Sequence, residues 1–517
     1  MTFRARKWVV TVALVAAVVL SVAGCTATAG TAVRVSAITT PTGRTTAPST
    51  ASGLSSHATS SPVTSNPSPP SGQPTFPAPS TGPDGEVWSQ SADKPLGQPV
   101  AAGDGVAVYV LHRSALAIEV LDAPTGTVRW QQPAATGAAA AGVAITPTLF
   151  AGHLVYLRPV GGSMTTSSVV VADADTGRDI AVSQQSYPIA SRPAGCGNLI
   201  CFSVFVGTDE QSVLMDPATG QVRSAGAGTG GRTIGPQGLE SIQSSDHPET
   251  LTRIVDGKAV WSTPLSTVFG DGYSTNGGWV FHAVPAQNLL IGSVGMFDPN
   301  QATPNDLHLG IDLKMGGIDL TTGHRRWLQT GGVEYQCTPQ DAIVEGGPLL
   351  NVRCRWGAAT VAHRVGDKLV LQTASLSVEG FNPATGATTW TVALADPTGQ
   401  TPQAAFRRIE VVGEDTLLVA GRAAAQLIDP VTGATRPAAA DTQAVCVVAI
   451  QTPLAGGART INGRTSNNYV TGSAATRCNA NGTPTAKPST SWPSWVGATV
   501  QHMHILTTTA GLQGYRN

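Results

Sequence analysis

Charge is scarce in this chain. Of its 517 residues only 12% are Asp, Glu, Lys or Arg, and the formal net charge is −1. Such a balance offers no basic face for nucleic acid and no acidic excess for cationic partners, so neither class of partner is expected. Lysine is rarer still, 6 residues against 25 arginines, a bias that looks like high-GC codon usage. Several chemical signatures are missing as well. There is no G-x-S-x-G elbow, no Walker loop, no H-E-x-x-H and no EF-hand loop, which removes the common sequence routes to hydrolase, nucleotide and calcium chemistry. No C-x-x-C pair occurs, so a structural zinc site is not expected. His502 and His504 are two apart and would share one face of a strand, which is weak as a metal pair. Beyond the N-terminus no apolar run approaches the length of a membrane span.

The N-terminus itself carries a compact signal. Arg4, Arg6 and Lys7 precede an apolar run from Trp8 to Leu20, thirteen residues long, too short to cross a bilayer comfortably. The run ends in Ser21-Val22-Ala23-Gly24-Cys25, which resembles a bacterial lipobox. The resemblance implies a signal peptide over 1–24 and a lipid anchor, palmitate included, on Cys25 as the mature N-terminus. Acyl chains would then hold the protein at the outer face of the cytoplasmic membrane or elsewhere in the cell envelope. Residues 25–83 continue as Ser, Thr and Pro with almost nothing to bury, for example Ser60-Ser-Pro-Val-Thr-Ser-Asn-Pro-Ser-Pro-Pro. A disordered, partly extended tether is expected there.

From residue 84 a phrase recurs. It reads Asp122-Ala-Pro-Thr-Gly126-Thr-Val-Arg-Trp130, Asp319-Leu-Thr-Thr-Gly323-His-Arg-Arg-Trp327 and Asn382-Pro-Ala-Thr-Gly386-Ala-Thr-Thr-Trp390. Copies opening at Asp173, Asp216 and Asp429 lack the Trp, and a contracted one runs Asp256-Gly257-Lys-Ala-Val-Trp261. Each reads as strand, tight turn, strand: the Asp or Asn can bond its own backbone two residues on, and Gly supplies a positive φ. The Trp falls on the next strand and is expected to pack between neighbouring units. Successive openings lie 51, 43, 40, 63, 63 and 47 residues apart. Four-stranded propeller blades take about 40–45 residues, so the two long intervals carry insertions. An eighth unit emerges when the two ends are joined. His504–Tyr515 lacks its outer strand, and Asp84-Gly85-Glu-Val-Trp88 supplies one. Closure of this kind removes exposed sheet edges. The expectation is an all-β propeller over 84–517 with eight blades, seven being the alternative, closed by the strand near Trp88.

The phrase resembles the PQQ-like, or quinoprotein-like, β-propeller repeat. That superfamily holds quinoprotein alcohol dehydrogenases and also the non-enzymatic, lipid-anchored accessory subunit of the outer-membrane β-barrel assembly machine. The resemblance implies the fold and does not imply that PQQ binds. The dehydrogenases typically carry two adjacent cysteines over the cofactor and a calcium site beside a catalytic Asp. This chain has no Cys-Cys dipeptide, and its repeated Asp residues are already committed to turns. No catalytic, cofactor or metal residue is therefore assigned.

Six cysteines remain after Cys25, and an even number in an exported chain reads as disulfides. Proximity in sequence favours Cys196–Cys201, Cys337–Cys354 and Cys446–Cys478. The last pair would pin a polar, Gly-rich stretch, Gly456 to Tyr469, that is a candidate contact surface. The expected function is a binding or scaffold module, not an enzyme, for another envelope component whose identity is not written in the sequence. A small-molecule or glycan receptor using aromatic shelves such as Trp492 and Trp495 stays open, as does a PQQ-dependent dehydrogenase.

Overall fold

Alternating apolar residues in short runs, punctuated by Gly and Asx turns, favour half-buried strands, and strands dominate the structure. It is a computed structural model that describes residues 85–516 apart from 92, 114, 137–144, 162, 190, 208, 226–231, 234–238, 245–246, 257, 276–278, 297–305, 336–346, 367, 395, 402–404, 406–408, 414–415, 420–424, 454–458, 462–463, 467–468, 481 and 486–491. The expected boundaries at 24/25 and 83/84, with Cys25, lie outside those residues. Among the described residues no helix is long and apolar enough to cross a membrane.

The strands follow one another as antiparallel meanders four strands deep. The first has an inner edge made by two short strands, Lys94–Pro95 and Val100–Ala102, then Gly105–His112, Ala115–Asp122 and Val128–Pro133. Meanders over 148–182, 194–224 and 232–264 repeat this order. The fifth (279–329) and sixth (333–393) are interrupted by insertions, and these pair with each other: Asp306–Leu307 from one pairs with Val361–Val365 from the other, which pairs in turn with Lys368–Thr373. The two 63-residue intervals are explained by this shared three-stranded sheet. A seventh meander spans 409–437.

The eighth is assembled from both ends of the described chain. Ala498–Val500, Met503–Thr508 and Gly511–Arg516 are completed by Glu86–Gln90, which pairs antiparallel with Gly511–Arg516 in the register Glu86 with Tyr515 and Trp88 with Gly514. Gln98 then ties the first meander to the eighth. Its side-chain amide donates to the Thr507 carbonyl at 3.1 Å and accepts from the Thr507 N–H at 3.1 Å, imitating one rung of a sheet. The four-stranded sheets and the terminal strand closing on the last meander are those of a β-propeller.

Apolar cores lie between neighbouring meanders. Ile118, Val120 and Trp130 of the first pack on Leu154, Tyr156 and Val170 of the second. Val169 and Val171, on the opposite face, pack on Ile200, Phe202 and Val204 of the third. The middle strands, such as Gly105–His112, Ala115–Asp122 and His153–Val160, are thus buried on both faces, which is why they read as near-continuous apolar runs rather than strict alternation. After the fourth meander a single helical turn, Leu265–Phe269, drops Leu265, Val268 and Phe269 into the core shared with the fifth.

Candidate functional site

The recurring turns explain most of the residues that stand out in the sequence. Asp122 Oδ1 accepts hydrogen bonds from the Thr125 N–H (3.1 Å) and hydroxyl (2.7 Å), and Gly126 follows at φ 68°. The Trp of the preceding meander lies flat on this turn. Trp88 Nε1 donates to the carbonyl of Ala123 at 2.9 Å, one residue past the turn-opening Asp. The same bond recurs from Trp130 to Ala174, Trp261 to Leu320, Trp327 to Pro383 and Trp390 to Pro430, at 2.7–3.1 Å. Every one of these indoles therefore ties a meander to its successor and is spent on the architecture.

Two details differ from the sequence reading. Among the described residues Asp256 bonds a neighbouring meander and not its own turn. Its turn is contracted so that Val255 pairs directly with Lys258, Asp256 itself takes φ 50°, and its Oδ1 accepts the N–H of Asn198 at 2.7 Å from the previous meander. A two-residue hairpin has no third N–H for the carboxylate to reach. Gly257 lies outside the described residues. The second detail is an arginine that the sequence reading missed. Arg129 Nη2 meets Asp122 Oδ2 at 2.8 Å and Arg326 Nη2 meets Asp319 Oδ2 at 2.7 Å. Both arginines immediately precede the Trp, which was the available signal; the third full copy has Thr389 there. The Arg326 bond, opposed by burial and helped by hydrogen bonds from Thr322 and Thr321, holds the Asp319 carboxyl down to about 2.

The element left over from the repeat is the hairpin Gln443–Pro453 and Tyr469–Asn479. Its eleven-residue strands pair in full register from Gln443 with Asn479 to Pro453 with Tyr469. The base is fastened four ways. Cys446 and Cys478 form a disulfide. Val445 pairs with Val411 of the seventh meander, and Ala475 pairs in parallel with Thr508 of the eighth. Arg477, buried, sets its guanidinium 4.5 Å from the Trp492 ring centre. The small residues Ala444, Ala474 and Ala475 are fully buried there. Gly472 lies so close to Leu96 and Gly97 of the first meander that a Cβ would sit 2.8 Å from their backbone.

Beyond these bridges the hairpin is no longer hydrogen-bonded into the neighbouring meanders, although Gly472 still rests against the first. Past the single bridges at Val445 and Ala475, no strand among the described residues pairs with either outer edge of the long strands. Val447 and Val448, opposite Ala475 and Ala474 just past the disulfide, are adjacent and so on opposite faces, and are 36% and 39% exposed. No charged residue occurs between Asp441 and Arg459 or between Arg464 and Arg477. A short strand pair, Arg459–Ile461 with Arg464–Ser466, follows at the tip. What such an element can do is offer unpaired backbone N–H and C=O groups along uncharged strands to another chain.

The other sequence candidates fall into packing. Trp495 donates Nε1 to Gly413 at 2.9 Å and is buried, while Trp492 packs against the core and carries Arg477, so neither forms an open aromatic shelf. His502 sits in a turn at φ 63°, and His504 is buried with Nε2 donating to the Val496 carbonyl. The pair does not share a strand face. Cys196 and Cys201 are disulfide-bonded across the hairpin that opens the third meander. Cys354, on Val352–Trp356, is disulfide-bonded too, and its expected partner Cys337 lies outside the described residues.

Three buried carboxylates were not singled out in the sequence. Glu379 is clasped between Arg353 (3.0 Å) and Arg355 (2.6 Å), and Arg353, with no exposed side-chain surface, also donates to Gly386 and Thr388. Glu334 meets the Trp356 indole N–H at 3.3 Å, and burial pushes its carboxyl up to about 7. Glu119 is 2% exposed and accepts a short bond from Gln131 Nε2. Among the described residues no group of three or more His, Cys, Asp or Glu is gathered as for a metal ion.

The family described as outer membrane protein assembly factor BamB matches residues 79–235. No curated protein sequence matches the chain. Among solved structures, the computationally designed Ika8 protein is 12% identical, covering 84% of this chain and all of that one, at a TM-score of 0.36. BamB from Moraxella catarrhalis is 11% identical over 83% of this chain and 99% of its own, at 0.30. The quinohemoprotein alcohol dehydrogenase of Comamonas testosteroni is 12% identical over 82% of this chain and 65% of its own, at 0.31. Likeness at this level fixes neither substrate nor partner.

Proposed function

We propose, for this PQQ-like β-propeller repeat protein, the role of an exported, lipid-anchored and non-enzymatic binding module that docks another envelope protein through the 443–479 hairpin. On this reading residues 1–24 are a signal peptide, Cys25 carries the acyl anchor, 25–83 are the tether and 84–517 form eight blades. The carrying observation is the hairpin: it is disulfide-pinned at its base, carries no charge from Gln443 to Pro453 or from Tyr469 to Thr476, and beyond the bridges at Val445 and Ala475 pairs with no other strand among the described residues. The BamB-like match over 79–235 supports a scaffold or binding role at the level of the family. PQQ is not expected to bind, because no adjacent cysteines occur and each repeat Asp with a described partner is engaged in a turn, an arginine bond or a neighbouring backbone.

The test is photo-crosslinking in cells from an unnatural residue at Val447 or Val448, with Val365 and Val431, exposed elsewhere on the protein, as controls. The hairpin positions are expected to capture one envelope protein that the controls do not. Equal capture at all four sites sinks the hairpin as the contact element. Calorimetric titration of PQQ with calcium accompanies it, and saturable binding there overturns the non-enzymatic reading.

A further inference from the structure

The first meander holds a polar cluster that neither the repeat nor the hairpin uses. Glu119 lies mid-strand in Ala115–Asp122, flanked by apolar neighbours. Gln131, directly opposite it on the next strand, donates Nε2 both to Glu119 Oε1 and, at 3.3 Å, to Asp93 Oδ2. Asp93 sits where the chain crosses from the closing strand Glu86–Gln90 to Lys94–Pro95, and its side chain is 9% exposed. His112 Nδ1 lies 2.8 Å from Asp93 Oδ1 and 2.9 Å from Oδ2. The imidazole, one-third exposed, is the cluster's contact with solvent.

The crossing is tightly built. Gly511 of the strand paired with Glu86–Gln90 lies so close that a Cβ would be 2.6 Å from the Gln90 carbonyl and 3.4 Å from Ser91 Cα. Lys94–Pro95 packs alongside Gly511–Arg516. Two carboxyl groups and an amide thus meet at the seam where the eighth meander joins the first. With Glu119 so deeply buried, no substrate reaches the pair, and acid–base catalysis is not its use.

We propose that a proton shared between Asp93 and Glu119 latches this seam, and that its loss at alkaline pH loosens the closing strand. Two buried carboxylates side by side repel and are poorly solvated, whereas one proton between them makes a hydrogen bond. Asp93 is the charged group acting on Glu119, and His112 the charged or chargeable group bonded to Asp93, among the described residues. Burial first, then Asp93, pushes the Glu119 carboxyl up to about 8. Because the raised group binds its proton more tightly folded than unfolded, the stabilisation is whole below about 4.5 and is lost as pH rises through about 8.

Hydrogen exchange on the full chain tests this. Amides of 86–95 and 511–516 are expected to lose protection, on the order of tenfold after correction for intrinsic rates, between pH 6 and pH 8.5. Leu289–Gly295, in the fifth meander, serves as the reference and should keep its protection. Glu119→Gln should hold the seam equally protected at both pH values. Should that variant fail to fold, Asp93→Asn asks the same question and should shrink the loss of protection to the part that burial of Glu119 alone causes. Unchanged wild-type protection, a drop of equal size in the reference strand, a Glu119→Gln variant that still loosens with pH, or an Asp93→Asn variant that loosens as much as wild type each overturns the latch.

Discussion

At the scale of single residues, the repeat turns work because glycine does two things at once. Gly386 takes φ 70°, and a Cβ there would lie 2.5 Å from the Trp327 ring. Gly366 takes φ 60° with nothing within 4 Å of its would-be Cβ. Alanine at 366 should cost about 1–2 kcal/mol in left-handed strain alone. Alanine at 386 should cost that plus the displaced indole, roughly 2 kcal/mol more. Denaturant titration of the two variants measures the difference; equal losses would mean that the Trp is not clamped on its turn. This much was legible, since Gly and Trp keep their four-residue step in four copies. Glu119 was harder to see. In Ala117-Ile-Glu-Val-Leu121 it reads as one polar residue in an apolar run, and its burial depends on Asp93 and Gln131, which only the folded sheets bring to it. Arg129 and Arg326 were in plain view beside their Trp residues, but pairing back to the turn Asp needs the hairpin to fold first.

At the scale of elements, the two described disulfides close loops of very different size. Cys196 and Cys201 are 5 apart and Cys446 and Cys478 are 32 apart. Chain entropy assigns about 2 kcal/mol to the first and about 4 kcal/mol to the second. Replacing Cys446 and Cys478 with Ser should therefore destabilise more than replacing Cys196 and Cys201. It should also speed limited proteolysis within 443–479, on the order of tenfold or more, because it unfastens the hairpin base. Similar proteolysis of both double variants would show that the Val411 and Thr508 bridges suffice to hold it. Sequence proximity indicated these two pairs correctly, since partners a few residues to a few tens apart flank a single hairpin. What proximity did not reveal was that the long hairpin joins the seventh and eighth meanders into one ten-stranded sheet, a pairing made by single bridges with no local signal.

At the scale of the whole molecule, two buried carboxyls titrate upward and give stability a direction with pH. Glu334 is raised to about 7 and Glu119 to about 8, both chiefly by burial. Each contributes stability that is full below about 4.5 and lost as pH climbs through its raised value. Asp319, lowered to about 2, acts oppositely, and its contribution fades below its ordinary value of 3.8. Thermal melts should place the highest Tm in mildly acid solution, with a fall toward pH 8.5 that Glu334→Gln reduces in part. A Tm that rises from pH 5.5 to 8.5 would contradict both assignments. The architecture at this scale was the most legible of all, because the repeat interval and the orphan strand at Trp88 carried it. The mutual pairing of the two insertions was not, since neither Asp306–Leu307 nor Val361–Thr373 resembles the repeat.

The pairing of Glu86 with Tyr515 also sets a timetable. The strand synthesised first needs a partner made more than 400 residues later, as the bond between Glu86 and Gln513 shows by its separation of 427. As the chain is made N-terminus first, that strand waits. Every intermediate carries one unmatched sheet edge at each end until Gly511–Arg516 arrives. Those edges close only with the arrival of that last strand.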